Sequence, residues 1–315
     1  MRAYAPGDES VINQHFNRVF NQKRPLLDWH RKFQPEQDGC SILVAVNEDN
    51  NIIAQYAVIH SAMQMGDLKF RAGQPVDVYC LRQDGATQRR VYSKLVTAFF
   101  DTYGNPKDLP LLYGFPGRRA LRLGQLKLGY GDPVPIGFWR RTVERPRLLF
   151  RKQPPNEAPD LDAIDRLWRR AAERYPTSVV RDSDWMTRRY LGCTNSPYIH
   201  ACVSESDSLC AWAVLRMTNK KTANWVDLVW DGVSVGALRE LQSKCLASAR
   251  LMGASRMEMW LSGDAEAEAV FADLGWVREE HPSDLQLVAR SFDSRIDAPS
   301  LIQQLYLTMG NSDLI

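Results

Sequence analysis

The stretch RQDGATQRRVYSKL, Arg82 to Leu95, follows a short apolar run in which Val76, Val78, Cys80 and Leu81 are interleaved with Asp77 and Tyr79. A strand, a tight loop and a helix start in succession can hold a phosphate, because the free amides of the first turn and the helix dipole both favour an anion. The loop has a single glycine, Gly85, and two adjacent arginines, Arg89 and Arg90, follow it. Guanidinium groups at a helix start can grip phosphate in a two-pronged fork, so this stretch is the first candidate for holding a phosphorylated cofactor. No Ser-His-Asp, HExxH, P-loop or GxGxxG pattern occurs, which leaves the other common enzyme classes without a motif.

Composition narrows the setting. The chain has 315 residues, 44% hydrophobic and 24% charged, so two domains with a core each are expected and no tract reads as disordered. The N-terminal MRAYAPGDESVINQHF has no apolar signal region and no stretch resembles a membrane span, which makes the cytoplasm the expected compartment. Six cysteines without CxxC spacing read as reduced core residues rather than metal ligands or disulfides. The net charge of +3, from 40 Lys and Arg against 37 Asp and Glu, is too near balance for a dedicated nucleic-acid protein.

The elements that must position the loop follow from periodicity. DESVINQHFNRVF carries apolar residues at helical spacing, and SILVAVNEDNNIIAQYAVIHSAMQMGDLKFRAGQPVDVYCL reads as strands with turn tips at Asp49-Asn50-Asn51 and Met65-Gly66-Asp67. A helix over TQRRVYSKLVTAFFDTYG, a strand at LPLLYGF, a helix ending near LKLGY and a closing strand VPIGFWRR come next. RKQPPNEAPDLD, with three prolines, reads as a linker and divides the chain into domains 1–152 and 153–315. After it the order recurs: helix LDAIDRLWRRAAERY, strands HACVSES, LCAWAVLRMT and TANWVDLVWD, a long helix capped by Ser234, strand SRMEMWLSG, helix AEAEAVFADLGW and a closing strand DLQLVARSF. Such repetition suggests duplication of one α/β unit.

This order, with LKLGY (Leu126 to Tyr130) and FADLGW (Phe271 to Trp276) each closing a helix before a final strand, resembles the GCN5-related N-acetyltransferase superfamily. The phrases QYAVIHSAMQMG, AGQPVDVYC and LLYGFPG and the ending LYLTMGNSD are similar to its tandem bacterial members. The resemblance implies an α/β (α+β) fold of two tandem domains of this kind, each a mixed, mostly antiparallel sheet flanked by helices. It implies an acyltransferase that moves an acyl group, acetyl in the first place, from acyl-CoA or an acyl carrier to an amine of a small molecule or amino sugar. The alternative is a scaffold or binding protein of the same fold that has lost the cofactor.

In the superfamily a strand splays from its neighbour and the pantetheine arm lies in the gap. By that resemblance Val78, Cys80 and Leu81 line the arm, and Thr87, Gln88, Arg89 and Arg90 stand at the pyrophosphate, with Arg90 and Tyr92 where the pattern has small residues. GVSV, ahead of the corresponding second-half helix, has no arginine and no such glycine pair, so the N-terminal half is the one expected to act. A tyrosine on the last helix is the usual acid; Gln125 and Phe271 match it here and neither can serve. Asp77 is then the candidate base, and Tyr79 and Tyr113 are the candidate acids. No metal is expected.

Basic residues cluster in FWRRTVERPRLLFRKQPP, from Arg140 to Lys152. They read as a solvated edge running into the linker, or as a dock for an acidic acyl carrier protein. Nucleic acid, tRNA included, is the weaker partner reading.

Overall fold

The structure, a computed structural model, describes residues 1–81, 85–144, 156, 158–191, 198–219, 221–283 and 285–313. Its elements in chain order are β1 (Arg2–Ala3), α1 (Asp8–Phe20), α2 (Leu26–Phe33), β2 (Cys40–Val46), β3 (Ile52–Met65), β4 (Leu68–Cys80), α3 (Gly85–Tyr103), β5 (Leu111–Gly114), α4 (Arg118–Lys127), β6 (Val134–Pro135) and β7 (Phe138–Thr142). There follow α5 (Leu161–Ala171), β8 (Thr177–Val179), α6 (Ser183–Arg189), β9 (Ile199–Glu205), β10 (Ser208–Asn219), β11 (Thr222–Trp230), α7 (Val235–Leu251), β12 (Arg256–Ser262), α8 (Ala265–Asp273), β13 (Val277–Glu279), β14 (Gln286–Ser291), α9 (Ala298–Gln304) and β15 (Leu307–Thr308).

The chain forms two compact units, each assembled from three segments. Unit 1 takes residues 1–62, 70–133 and 287–302; unit 2 takes 63–69, 134–286 and 303–315. The division therefore differs from a single cut at 152/153, and two strands change places. Phe138–Thr142, expected to close the first half, pairs antiparallel with β12 and β13 in unit 2. The closing strand expected for the second half pairs with β5 in unit 1, Val288 opposite Gly114 and Ser291 opposite Leu111. Side chains explain β7's choice: Arg140 bridges Glu258 and Glu279, and the Trp139 indole donates to the Leu261 carbonyl at 3.1 Å. The linker residues 145–155 and 157 lie outside the described residues.

In unit 1 the strands run β1-β2-β3-β4-β5-β14, antiparallel except for β4 with β5. Both faces of this sheet are covered. On one, Ile12, Trp29 and Phe33 of α1 and α2 pack against Ile42, Val44, Ala57 and Val76. On the other, Leu95, Val96, Phe99 and Phe100 of α3 pack against Leu43, Ala45, Tyr56, Val58 and Leu112. Strand alternation produces this split, successive side chains pointing to opposite faces. The turn tips stand where composition puts them, Asn50 at φ 62° and Gly66 at φ 57°.

In unit 2 the order is β13-β7-β12-β11-β10-β9, and Met63–Met65, the end of β3, pairs with β8. Here β11 and β12 are the parallel neighbours. Ser234 caps α7 as expected, its hydroxyl accepting from Ala237 N–H at 3.2 Å. Cys210 and Cys245 are buried thiols, and Cys40, Cys80 and Cys202 are half-buried thiols; Cys193 lies outside the described residues.

Candidate functional site

One residue in β4 controls the site. Asp77 has φ 51°, a left-handed value that aspartate tolerates better than most side chains. This bulge places two successive side chains on the same face: Val76 packs with Trp29 and Phe33, and the Asp77 carboxylate meets Arg24 and Lys32. Alternation then resumes. Val78 and Cys80 turn to the α3 side, and Tyr79 to the α1 side, edge-on to His15 with ring centroids 6.0 Å apart.

The same region ends the β4–β5 ladder. The two strands pair at Ala72 with Leu111 and at Gly73 with Leu112. Pro75 follows and has no N–H to give. Gly73 itself cannot be larger, since a Cβ there would stand 2.5 Å from Val58 and 2.6 Å from Leu112. Beyond these pairs no described strand bonds to that edge of β4. Tyr113 comes one residue after the last pair, across the opening, with only 2% of its surface exposed.

The sequence-predicted residues sort as follows. Both Asp77 oxygens are held by cations, by Lys32 at 2.7 Å and by the Arg24 guanidinium, and the side chain is 3% exposed. It is an anchor for the two helices rather than a carboxylate able to take a proton from an amine. Val78 and Cys80 present their side chains to the α3 core, leaving only their backbone for a ligand. Leu81 donates its N–H to Ile53 on β3 at 2.8 Å, so by alternation the Cys80 N–H points to the free edge. The Cys80 carbonyl accepts from the Gln88 side chain at 3.2 Å, so two expected cofactor contacts meet each other.

The helix start corrects the register of the phosphate loop. α3 begins at Gly85, so Thr87, Gln88, Arg89 and Arg90 lie in its first two turns rather than in the loop before it. Thr87, Arg89 and Arg90 are exposed there. Arg82, Gln83 and Asp84 lie outside the described residues.

Sequence reasoning missed His15. Its Nδ1, the Tyr79 hydroxyl, the Gln55 side-chain oxygen and Arg24 Nη2 are all buried without a hydrogen-bond partner among the described residues. Buried polar atoms are nearly always satisfied, so several orphans along one strand face mark a place made for water or a ligand. Burial pushes the Tyr79 phenol up, and the Asp77 charge adds to this. Burial and the nearby Arg18 push the His15 imidazole down. Two other residues are structural. His60 bonds Ser41 and the Asp38 carbonyl, and Phe271 is fully buried edge-on to Trp225 and Trp276. Gln125 is exposed.

Unit 2 carries the matching geometry in a closed form. VDLVW, Val226 to Trp230, corresponds to VDVYC, Val76 to Cys80, and the β10–β11 register slips at Val214/Leu215, opposite Asp227 and Trp225. Its parallel ladder ends at Trp225 with Met259. Past that point the end of β12 pairs with β15, Leu261 opposite Thr308 and Ser262 opposite Leu307. The Tyr306 hydroxyl donates to the Leu228 carbonyl at 2.9 Å, and Thr308 Oγ1 to Asp227 at 2.8 Å. Residues 305–312 are all buried. The chain's own C-terminal segment thus lies where β11 and β12 part.

Arg140 is engaged with Glu258 and Glu279; Arg145 to Lys152 lie outside the described residues. Among the described residues no His, Cys, Asp and Glu group is placed to hold a metal, and no helix is long and apolar enough to cross a membrane.

No family model matches the sequence, and no curated protein matches it. Solved structures do match. A conserved protein of Enterococcus faecalis V583 described as a probable N-acyltransferase aligns over 93% of this chain and 72% of its own, with a TM-score of 0.65 at 12% identity. A GCN5-related N-acetyltransferase of Anabaena variabilis aligns over 93% and 73%, with a TM-score of 0.64 at 11% identity. The N-myristoyltransferase of Saccharomyces cerevisiae, solved with myristoyl-CoA bound, aligns over 80% and 75%, with a TM-score of 0.50 at 11% identity. The chain has the fold of the GCN5-related N-acetyltransferases, with two mixed sheets flanked by helices.

Proposed function

We propose that this chain is an acyltransferase that moves an acyl group from an acyl-CoA to an amine, and that unit 1 is its working half. The observation that carries this is the contrast between the two parallel pairs. β4 and β5 part after Gly73 and Leu112 with no described strand on the freed edge, whereas the freed edge of β12 is taken by β15. A pantetheine arm needs strand backbone to bond to, and Cys80 presents its N–H on that free edge. The α3 terminus fits the phosphates: Gly85 stands at its first position, and Arg89 and Arg90 are exposed on its first turns. An acyl-CoA supplies the thioester; the chain's own residues hold it and handle the protons.

The acceptor is a small-molecule amine or amino sugar, and acetyl is the acyl group to try first. Asp77, with Arg24 and Lys32, fixes α1 and α2 against β4 and so sets the wall on which the amine lies. The likeness to a myristoyl-CoA-binding fold makes longer chains the second series to test.

Calorimetry with acetyl-CoA and myristoyl-CoA tests the reading. One equivalent per chain is expected, with affinity lowered in the Arg89→Ala/Arg90→Ala double variant and little changed by Ser234→Ala at the start of α7. Two equivalents would overturn the assignment to unit 1. No binding to any acyl-CoA would leave the protein as a scaffold of this fold.

A further inference from the structure

Two of the orphaned groups on the α1 side of β4, His15 Nδ1 and the Tyr79 hydroxyl, belong to different elements whose rings meet. The Tyr79 side chain is 3% exposed and its hydroxyl has no partner among the described residues. The His15 ring lies edge-on to it at 6.0 Å, with Nδ1 buried and likewise unpartnered. A phenylalanine and a leucine would fill this space without leaving two buried polar atoms unsatisfied. Unit 2, where the C-terminal segment pairs with β12 and reaches the Leu228 carbonyl of β11 through Tyr306, has Val229 where unit 1 has Tyr79. The hydroxyl is thus present where the strand edge is free and absent where it is filled.

We infer that His15 and Tyr79 are the proton-handling pair of the acyl transfer, His15 taking the proton from the attacking amine and Tyr79 giving one to the departing sulfur. This rests on the acyltransferase reading of unit 1. As the nitrogen–carbon bond forms, the nitrogen becomes acidic and its proton passes to His15 Nδ1. The carbon–sulfur bond then breaks, its electron pair stays on sulfur, and the Tyr79 hydroxyl supplies the proton that makes the free thiol. Exchange with water then takes the proton from the His15 imidazolium and returns one to the Tyr79 phenolate, so the sum is amine plus thioester giving amide plus thiol. The protonation states suit these roles: an imidazole depressed by burial and Arg18 is neutral and able to accept at pH 7, and a phenol raised by burial and Asp77 still carries its proton.

The charged groups around the pair come from every element packed on it. α1 contributes Arg18 beside His15 and Asp8 at its start, the segment ahead of α2 contributes Arg24, and β4 contributes Asp77. Arg24 and Asp77 pair with each other, and Asp8 pairs with Arg2. Arg18 is then the charge that most directly opposes protonation of His15.

The test is kcat/KM against pH for an accepted amine, in the parent, His15→Gln and Tyr79→Phe, with acyl-CoA affinity measured separately by calorimetry. The parent rate should fall on the acid side through a pKa below 6.5. His15→Gln should lose that limb and about 10²- to 10⁴-fold in kcat, with acyl-CoA affinity unchanged. Tyr79→Phe should lose turnover while its thermal stability stays level or rises, since the removed hydroxyl bonds to no described residue; a folding defect therefore cannot imitate the result. An acid limb that survives in His15→Gln, or a Tyr79→Phe variant as fast as the parent, overturns the pair while acyl-CoA binding still supports the site. Failure of the parent to bind any acyl-CoA overturns both.

Discussion

Asp77 and Asp227 occupy the same place in the two units, and each accepts an arginine from just ahead of its unit's second helix, Arg24 before α2 in one and Arg181 before α6 in the other. The two versions differ in closure. Arg24 remains 12% exposed, with one nitrogen unpartnered. The Arg181–Asp227 pair is fully buried and saturated, with bonds from Trp185 at 2.9 Å, Tyr190 at 2.6 Å and Thr308 at 2.8 Å to the carboxylate and from Arg181 to Asn311 at 2.7 Å. The same clasp occurs in both units, sealed by the C-terminal segment in unit 2 and left with an orphaned donor in unit 1.

Breaking the sealed clasp should be costly. Arg181→Met strands a buried carboxylate, and a loss of about 3–5 kcal/mol is expected in denaturant unfolding of unit 2. Burial alone would raise the Asp227 carboxyl, but the Arg181 charge and the bonds from Tyr190, Arg181 and Trp185 outweigh it and hold it below its ordinary value. A depressed folded pKa gives stability that is full above the unfolded value of about 3.9 and is lost as pH falls through the folded one. Acid unfolding followed in Asp227→Asn should accordingly begin from a lower baseline and show a shallower slope below pH 4. An unchanged slope refutes the assignment.

His200 offers a second pH signature at milder acidity. It is 3% exposed, accepts the Trp212 indole N–H at 3.1 Å, and burial pushes its imidazole down to about 4. The unfolded chain binds a proton near pH 6.5, so stability is present above that value and declines as pH falls toward 4, by about 3 kcal/mol in all. Thermal unfolding at half-unit pH steps should show this decline in the parent and its absence in His200→Gln.

Gly310 is a tight point of the C-terminal seal. A Cβ there would stand 2.4 Å from the Tyr190 hydroxyl and 2.8 Å from an Asp227 oxygen. Gly310→Ala should cost about 1–3 kcal/mol by overpacking. The segment after α9 should also become a site of early proteolytic cleavage, which mass spectrometry of limited digests would detect; a parent-like digestion pattern would show that the seal yields.

Asp77→Asn separates anchoring from proton transfer. Asparagine keeps the tolerance for positive φ but removes the carboxylate charge that Arg24 and Lys32 share, so a loss of about 1–3 kcal/mol in stability is expected. The acid limb of the pH–rate profile should remain, because the proton acceptor is elsewhere. Disappearance of that limb in Asp77→Asn would restore the carboxylate as the base.

The element order, the turn tips at Asn50 and Gly66, the Ser234 cap and the repeat of one α/β unit were legible in the sequence. All of them depend on neighbours along the chain: apolar spacing of 3.6 or 2, residues that accept a left-handed backbone, an oxygen beside a helix start. The VDVYC and VDLVW phrases even mark the two bulges. What the tertiary structure decided lies between segments far apart in sequence. β7 and β14 joined other sheets than chain order suggests, because a strand's period says which face is buried and not which edge will bond to it. Asp77 read as a free carboxylate until α1 and α2 brought Arg24 and Lys32 onto it, and nothing local ties His15 to Tyr79. The same limit hid the fate of the C-terminal segment: its apolar residues asked for a surface, and only the packed sheet shows that the surface is the parting of β11 and β12.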